Sequence, residues 1–164
     1  MDEPTEREWL AWAAGIIDGE GCISLRPQYG RHRRDHQFYL CVDVTNTDLR
    51  MLDHLKRLFG GSIRRCKPIP NRRPIWQWSL SSAQAGEALN NLLPFLVTKH
   101  NQAELGLLSR RYMRRKGARR QSIDEANALE WLDRQLKTLK RAPSADIPLL
   151  PIHPTKPENQ DDLF

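Results

Sequence analysis

An apolar run of small residues, Ala13–Ile17, leads directly into Asp18-Gly19-Glu20-Gly21. A carboxylate at the end of a packing helix costs free energy unless it has a partner or a function. Carboxylate, carbonyl and water oxygens are the ligands that hard divalent cations such as Mg²⁺ prefer. Glu20 is therefore a candidate functional acid. Asp18 is better interpreted as a hydrogen-bond acceptor that fixes the turn.

Positive charge is concentrated in the middle of the chain. The net charge of +6 over 164 residues combines −5 for residues 1–25, +8 for 26–75, +6 for 76–141 and −3 for 142–164. A basic middle segment is typical of proteins that bind a polyanion such as DNA. A further basic cluster is expected to contact the DNA backbone: Arg110, Arg111, Arg114, Arg115, Lys116, Arg119 and Arg120.

Side chains that can read base edges alternate with apolar ones along four predicted strands, so they share one face of a sheet. The outward candidates are Ser24, Arg26, Gln28, Gln37, Tyr39, Cys41, Asp43, Arg64, Cys66, Ile75, Gln77 and Ser79. Among them the arginines suit guanine, the glutamines adenine and Asp43 cytosine. The loop residues expected to contact phosphates or flanking bases are Arg31, Arg33, Arg34, Arg72 and Arg73.

The elements that must position these groups begin with a helix over about 6–18, opened by a Thr5–Glu8 capping box. Ala11, Gly15 and Gly19 form a ridge of small residues on it, which allows a partner helix to approach closely. The spacing then predicts strands over 22–28 and 36–45, and a helix from an N-cap at Thr47 to Phe59, closed by Gly60-Gly61.

The second half predicts a hairpin of strands 62–67 and 75–81, followed by a helix capped by Ser82 and ending near Leu93. Pro94 fits the first turn of a longer helix that ends near Gly117, and a capping box at Ser122 opens a helix to about Arg141. Four strands with helices on one face make an α+β domain over 1–141. Five prolines in 142–164 predict an extended or disordered tail.

Several classes of protein are disfavoured. No apolar run approaches the roughly 18 residues of a membrane span, and the acidic N-terminus lacks a signal-peptide pattern. We expect an intracellular, soluble protein of unknown compartment, with no small-molecule substrate. Cys22, Cys41 and Cys66 are widely spaced, so reduced thiols are expected rather than disulfides or zinc ligands.

The segment Ala13–Gly21 resembles the signature of the LAGLIDADG homing endonucleases, with Glu20 at the position of the metal-binding acid. The predicted order αββαββα, with a four-stranded antiparallel DNA-binding sheet, resembles a LAGLIDADG domain over residues 8–116, and the signature occurs once. The resemblance implies a homodimer paired through the first helix, at an interface of Ala11, Trp12, Gly15, Asp18 and Gly19.

The resemblance also implies roles for further residues. Glu20, with the carbonyl of Gly19, would bind Mg²⁺, with Mn²⁺ as a substitute. Asn46 would position water, Arg50 would lie one helical turn further on, and Lys99 would neutralise the scissile phosphate. Asn46 is shorter than the glutamine common in the family.

The expected activity is metal-dependent hydrolysis of both strands of a long, pseudo-palindromic DNA site by an intron-encoded enzyme. The alternative is a DNA- or RNA-binding module on the same fold that does not cleave, such as an intron-splicing maturase or a regulator. A structural protein without a nucleic-acid partner would leave the charge pattern unexplained.

Overall fold

The computed structural model describes residues 3–29, 36–113 and 122–141. The elements in chain order are α1 (Glu6–Glu20), β1 (Gly21–Tyr29), β2 (His36–Asn46), α2 (Leu49–Phe59), β3 (Ser62–Arg65), β4 (Trp76–Ser81), α3 (Ser82–Leu92), a 3₁₀ turn (Leu93–Phe95), α4 (His100–Ser109) and α5 (Ile123–Arg141). The α+β class and the order αββαββα are confirmed. Arg31, Arg33, Arg34, the basic residues from Arg114 to Arg120 and the proline-rich tail lie outside the described residues.

Two predicted capping boxes are present. Thr5 and Glu8 exchange backbone and side-chain hydrogen bonds at the start of α1, and Ser122 and Glu125 do so at the start of α5. The predicted cap of α2 was wrong by one residue, because Asp48 and not Thr47 accepts the N–H of Arg50, at 3.0 Å. Asn46 Oδ1 accepts the N–H of Asp48 at 2.9 Å and forms a turn before the helix, so the N-cap of α2 lies one residue later than predicted.

The helix predicted from Pro94 to Gly117 was also wrong. Pro94 lies in the short 3₁₀ turn, and α4 begins only at His100 and ends at Ser109. The segment between them is not helical because the N–H groups of Val97 and Lys99 bond to the carboxylate of Asp18. Helix α3 is N-capped at Ser81 rather than Ser82.

The four strands form one antiparallel sheet in the order β1-β2-β4-β3. The buried side chains of its inner face are Ile23, Leu25, Leu40, Val42, Val44, Trp78 and Leu80, and the half-buried Phe38, Ile63 and Trp76 pack against the same core. Residues of α1, α2, α3, α4 and α5 join the same apolar core. The helices thus cover one face, and the alternating positions of each strand form a second face. Among the described residues, each helix is too short or too polar to cross a membrane.

Candidate functional site

Glu20 is the last residue of α1, and its side chain is exposed where the helix meets β1. The chain changes there from helix to strand at Gly21, whose N–H still bonds to the carbonyl of Ile17. A Cβ at Gly21 would lie 2.6 Å from that carbonyl oxygen, so this abrupt junction requires glycine. Gly19 is exposed as well, so its backbone and the Glu20 carboxylate lie at the surface together.

Asp18 connects the end of α1 to a segment about 80 residues later. Its two carboxylate oxygens accept the N–H groups of Val97, at 2.8 Å, and Lys99, at 2.9 Å. The structure therefore gives Asp18 the role of a structural acceptor. The same contacts bring Lys99 to the end of α1, next to Glu20.

Lys99 is half-buried, and its Nζ donates to the backbone carbonyl of Asp18. Burial lowers the pKa of Lys99, and the positive charge of Lys140 acts in the same direction. The negative charges of Asp18 and Glu20 oppose this shift. The result is a cation held beside Glu20 with a lower pKa than that of an ordinary lysine.

Lys140 is a second lysine at this end of the molecule, and sequence reasoning missed it. It lies in the last turn of α5, is exposed, and its Nζ is 3.3 Å from the Sγ of Cys22. In the sequence it has the pattern of a basic residue stabilising a helix C-terminus. No local signal relates it to Cys22, which is 118 residues away.

Asn46 lies at the same end of the sheet as Glu20, because Gly21 at the start of β1 pairs with Val44 near the end of β2. Its Oδ1 caps the N–H of Asp48. Arg50 follows in the first turn of α2 and is 88% exposed in its side chain. Its guanidinium binds both carboxylate oxygens of Asp48, at 3.1 and 2.8 Å. Asn46 and Arg50 therefore both bind Asp48, Asn46 through the backbone N–H of Asp48 and Arg50 through the Asp48 carboxylate.

The second face of the sheet carries the predicted DNA-contacting side chains. Arg64 is exposed there, and Arg26, Tyr39, Gln77 and Ser79 are half-buried. Cys66 and Ile75 lie just outside β3 and β4 and are half-buried, and Arg72 and Arg73 are exposed in the loop between these strands. Ser24 Oγ is buried and has no hydrogen-bond partner among the described residues. Gln28 and Gln37 pair with each other in the β1–β2 ladder, and their side chains lie outside the described part of the structure.

Two of these predictions need correction, because Cys41 and Asp43 are only 3% and 4% exposed. Burial raises the pKa of the Cys41 thiol to about 11, so the thiol remains protonated at neutral pH. Both oxygens of Asp43 accept hydrogen bonds from neighbouring side chains. Neither residue is therefore available to a base edge, and the cytosine-reading role expected of Asp43 is not supported by its contacts.

The predicted interface residues Ala11, Gly15 and Gly19 are exposed along one side of α1. A Cβ built at Gly15 or Gly19 meets no atom of the described residues within 4 Å, so the described part of the chain leaves both glycines uncovered. Trp12 is half-buried, with its ring edge-on to those of Trp9 and His54, at centroid distances of 5.7 and 5.9 Å. It therefore packs within its own chain, between α1 and α2.

The oxygen atoms at the end of α1 fit a hard divalent cation. The exposed Glu20 carboxylate and the neighbouring backbone carbonyl of Gly19 are the donor types that Mg²⁺ accepts. Across residues 3–29, 36–113 and 122–141, no three His, Cys, Asp or Glu side chains converge on one point.

Comparison with known proteins identifies the fold. The structure is similar to that of the homing endonuclease I-CvuI in complex with its target, with 19% identity, a TM-score of 0.66, and coverage of 82% of this chain and 83% of that chain. It is similar to the archaeal intron-encoded homing endonuclease I-Vdi141I complexed with DNA, with 17% identity, a TM-score of 0.68 and coverage of 82% and 86%. The homing endonuclease I-TnaI matches with 18% identity, a TM-score of 0.61 and coverage of 86% and 96%.

The LAGLIDADG homing endonuclease I-SmaMI bound to cleaved DNA matches with 22% identity and a TM-score of 0.58. This chain covers 44% of I-SmaMI, whereas it covers most of the length of the three other proteins. A scan against models of protein families finds no match, and a search of curated proteins finds none.

Proposed function

We propose that this chain, which has the fold of the LAGLIDADG homing endonucleases, is a site-specific DNA endonuclease. It acts as a homodimer and hydrolyses both strands of a long pseudo-palindromic site. The observation that carries this proposal is the exposed carboxylate of Glu20 at the end of α1, beside the half-buried cation of Lys99. The similar structures of I-CvuI and I-Vdi141I are complexes with a target and with DNA, respectively.

The open ridge on α1 supports the homodimer. Ala11, Gly15 and Gly19 present little more than backbone, and no atom of the described residues lies within 4 Å of a Cβ built on either glycine. Two such ridges related by a two-fold axis can pack at short interaxial distance. Glu20 follows this ridge at the C-terminal end of α1, so each chain would deliver its carboxylate to the axis.

The Glu20 carboxylate and Gly19 carbonyl of each chain would hold divalent cations, with scissile phosphate oxygens as further ligands. A Mg²⁺ ion bound there would supply Lewis-acid stabilisation of the developing charge and a lowered pKa for bound water. We propose Mg²⁺ as the physiological ion, with Mn²⁺ as a substitute. The similar structures of I-CvuI were obtained with Ca or Mg.

The remaining residues have distinct proposed tasks in phosphodiester hydrolysis, which needs an attacking water in line with the bond that breaks. Asn46, at the sheet end next to Glu20, would orient this water through its amide. Lys99 would donate to a non-bridging oxygen of the scissile phosphate and offset its growing negative charge. Arg50, with an 88% exposed side chain, would contact a neighbouring phosphate and so hold the strand in register.

The second face of the sheet would lie in the major groove, with Arg26, Arg64 and Gln77 directed to base edges. Arg72 and Arg73, exposed in the loop before β4, would contact phosphates. Phosphate contacts supply affinity that falls with salt, and base contacts supply discrimination. Arg110 and Arg111, exposed after α4, would extend the phosphate contacts.

The test is cleavage of a randomised duplex library with Mg²⁺, scored by sequencing the cut ends. Glu20→Gln keeps the size of the side chain and removes its charge, so it is expected to lower cleavage by about 10²-fold or more while binding is retained. Glu87→Gln, exposed on α3, is the matched control and should cleave like the wild type. Cleavage by Glu20→Gln at the wild-type rate would contradict the assignment of the acid.

The experiment also separates the nuclease from a binding module. Salt-sensitive, sequence-selective binding of the wild type without cut ends in any divalent metal would replace the proposed enzyme with a non-cleaving DNA-binding protein.

A further inference from the structure

Among the described residues, the most buried charged side chain on the DNA-facing side of the sheet is an acid, Asp43, at the centre of β2. Its Oδ2 accepts a hydrogen bond from Arg26 Nη2 at 2.5 Å. Its Oδ1 accepts hydrogen bonds from Ser79 Oγ at 2.6 Å and from Gln77 Nε2 at 2.9 Å. A buried carboxylate satisfied by three donors is held in one geometry, and it holds its donors in turn.

The network continues across the sheet through Gln77. While its Nε2 donates to Asp43, its Oε1 accepts a hydrogen bond from Arg64 Nη2 at 2.5 Å. Because the strand order is β1-β2-β4-β3, the chain of contacts Arg26–Asp43–Gln77–Arg64 crosses all four strands. The carboxylate on one side and the guanidinium on the other fix which end of the Gln77 amide donates and which accepts.

Asp43 is poorly suited to meet DNA itself. A carboxylate repels phosphates, and at 4% exposure with both oxygens occupied it offers no acceptor to a cytosine amine. The arginines at the two ends of the network differ in this respect. The side chain of Arg26 is 41% exposed and Arg64 is exposed, and a guanidinium has five N–H donors. Each arginine can therefore bond to the network and still present donors to a ligand.

We propose that Asp43 is a positioning residue that sets base specificity. It orients Arg26 directly, and Arg64 through Gln77, so that both arginines donate to acceptors of guanine in the major groove. The inference rests on the proposed function, since it presumes a duplex on this face. A bidentate arginine–guanine pair depends on the angle of the guanidinium plane, and the hydrogen bond to the buried Asp43 carboxylate restrains that plane for Arg26.

The test is Asp43→Asn in the full chain, measured by equilibrium binding to a randomised duplex library in Ca²⁺, which does not require cleavage. Removal of a negative charge from the DNA-facing side should leave affinity for random duplex unchanged or tighter. The preference for the selected site over random duplex should fall by roughly 10-fold or more. Asp53→Asn, exposed on α2, removes the same charge elsewhere and should keep the preference.

The positions of the loss provide a second readout. Arg26→Lys and Arg64→Lys keep the positive charge and lose the planar guanidinium that can donate two parallel hydrogen bonds. Each variant should therefore relax discrimination at the base pair that its own residue contacts. Asp43→Asn should relax discrimination at the same two base pairs. At the base pair contacted by residue 26, the double variant Asp43→Asn with Arg26→Lys should lose no more discrimination than Arg26→Lys alone. Retained wild-type preference in Asp43→Asn, or loss at unrelated positions, would overturn the inference.

Ser79→Ala covers the case in which Asp43→Asn unfolds, as judged by circular dichroism. It removes one of the three hydrogen bonds and keeps the carboxylate. It should give a smaller loss at the same base pairs, and wild-type preference at those positions would overturn the inference. If instead the wild type itself prefers no duplex, the proposed function fails, which is a different result from unchanged preference in the variants.

Discussion

Lys99 illustrates how one long-range contact decides the chemistry of a residue. Its place beside Glu20 results from the hydrogen bonds of Asp18 to the N–H groups of Val97 and Lys99. The same position buries part of its stem and lowers the pKa of its ammonium group. From the sequence, Lys99 could be nominated only by its resemblance to a basic residue of the family. The partial burial that lowers its pKa can be seen only in the folded structure.

The lowered pKa of Lys99 predicts an alkaline limit to cleavage. Below this pKa the ammonium is charged and can stabilise the phosphate, and above it the charge is lost, at a lower pH than for an ordinary lysine. Arginine stays protonated throughout. In Lys99→Arg the alkaline limb of kcat/KM, which reports the free enzyme, should therefore move to higher pH, whatever its absolute rate.

The measurement is the pH profile of cleavage on the selected site at subsaturating DNA. Lys56→Arg, exposed on α2, is the control and should reproduce the wild-type profile. If Lys99→Arg and the wild type share one alkaline limb, that limb belongs to another group.

Among the elements, the helix starts marked by a capping box were predictable. Thr5 with Glu8 and Ser122 with Glu125 cap their own helices, and each box is visible in four consecutive residues. Strand alternation likewise placed the apolar and polar faces correctly, since side-chain direction has a period of two. The break between Pro94 and the start of α4 at His100 was not predictable in this way, because it depends on Asp18, about 80 residues earlier.

Helix α2 shows why adjacent candidates for a cap could not be resolved. Thr47 and Asp48 can both cap a helix, and the choice depends on Asn46 bonding to the N–H of Asp48. Asp48→Ala removes the acceptor for the N–H of Arg50 and the partner of its guanidinium. It should lower the urea midpoint of unfolding, whereas Thr47→Ala should leave the midpoint near the wild-type value.

The pH dependence of this difference follows from Asp48. Hydrogen bonds from the side chain and backbone of Arg50 lower the pKa of the carboxyl in the folded state. A group with a lowered folded pKa stabilises the fold above its unfolded pKa, and this contribution is lost as pH falls through the folded pKa. The midpoint difference between wild type and Asp48→Ala should therefore be full at neutral pH and shrink in acid. A constant difference across that range would assign the effect to something other than the charge.

For the whole molecule, the proposed function requires two chains, because one chain places a single Glu20 at the end of α1. Gly15→Leu tests this requirement, since the position is exposed and a Cβ there meets no atom within 4 Å in the part of the chain that the structure describes. Leucine favours helix over glycine, so the folded monomer should persist while the bulk on the ridge keeps a second α1 away. Sedimentation should show a monomer where the wild type is expected to be a dimer, and double-strand cleavage should be lost together with the dimer.

Lys56→Leu adds the same side chain to the exposed face of α2 and should dimerise and cut normally. A Gly15→Leu protein that still sediments as a dimer would place the interface elsewhere, and a wild type that stays monomeric on its DNA would remove the two-fold site altogether.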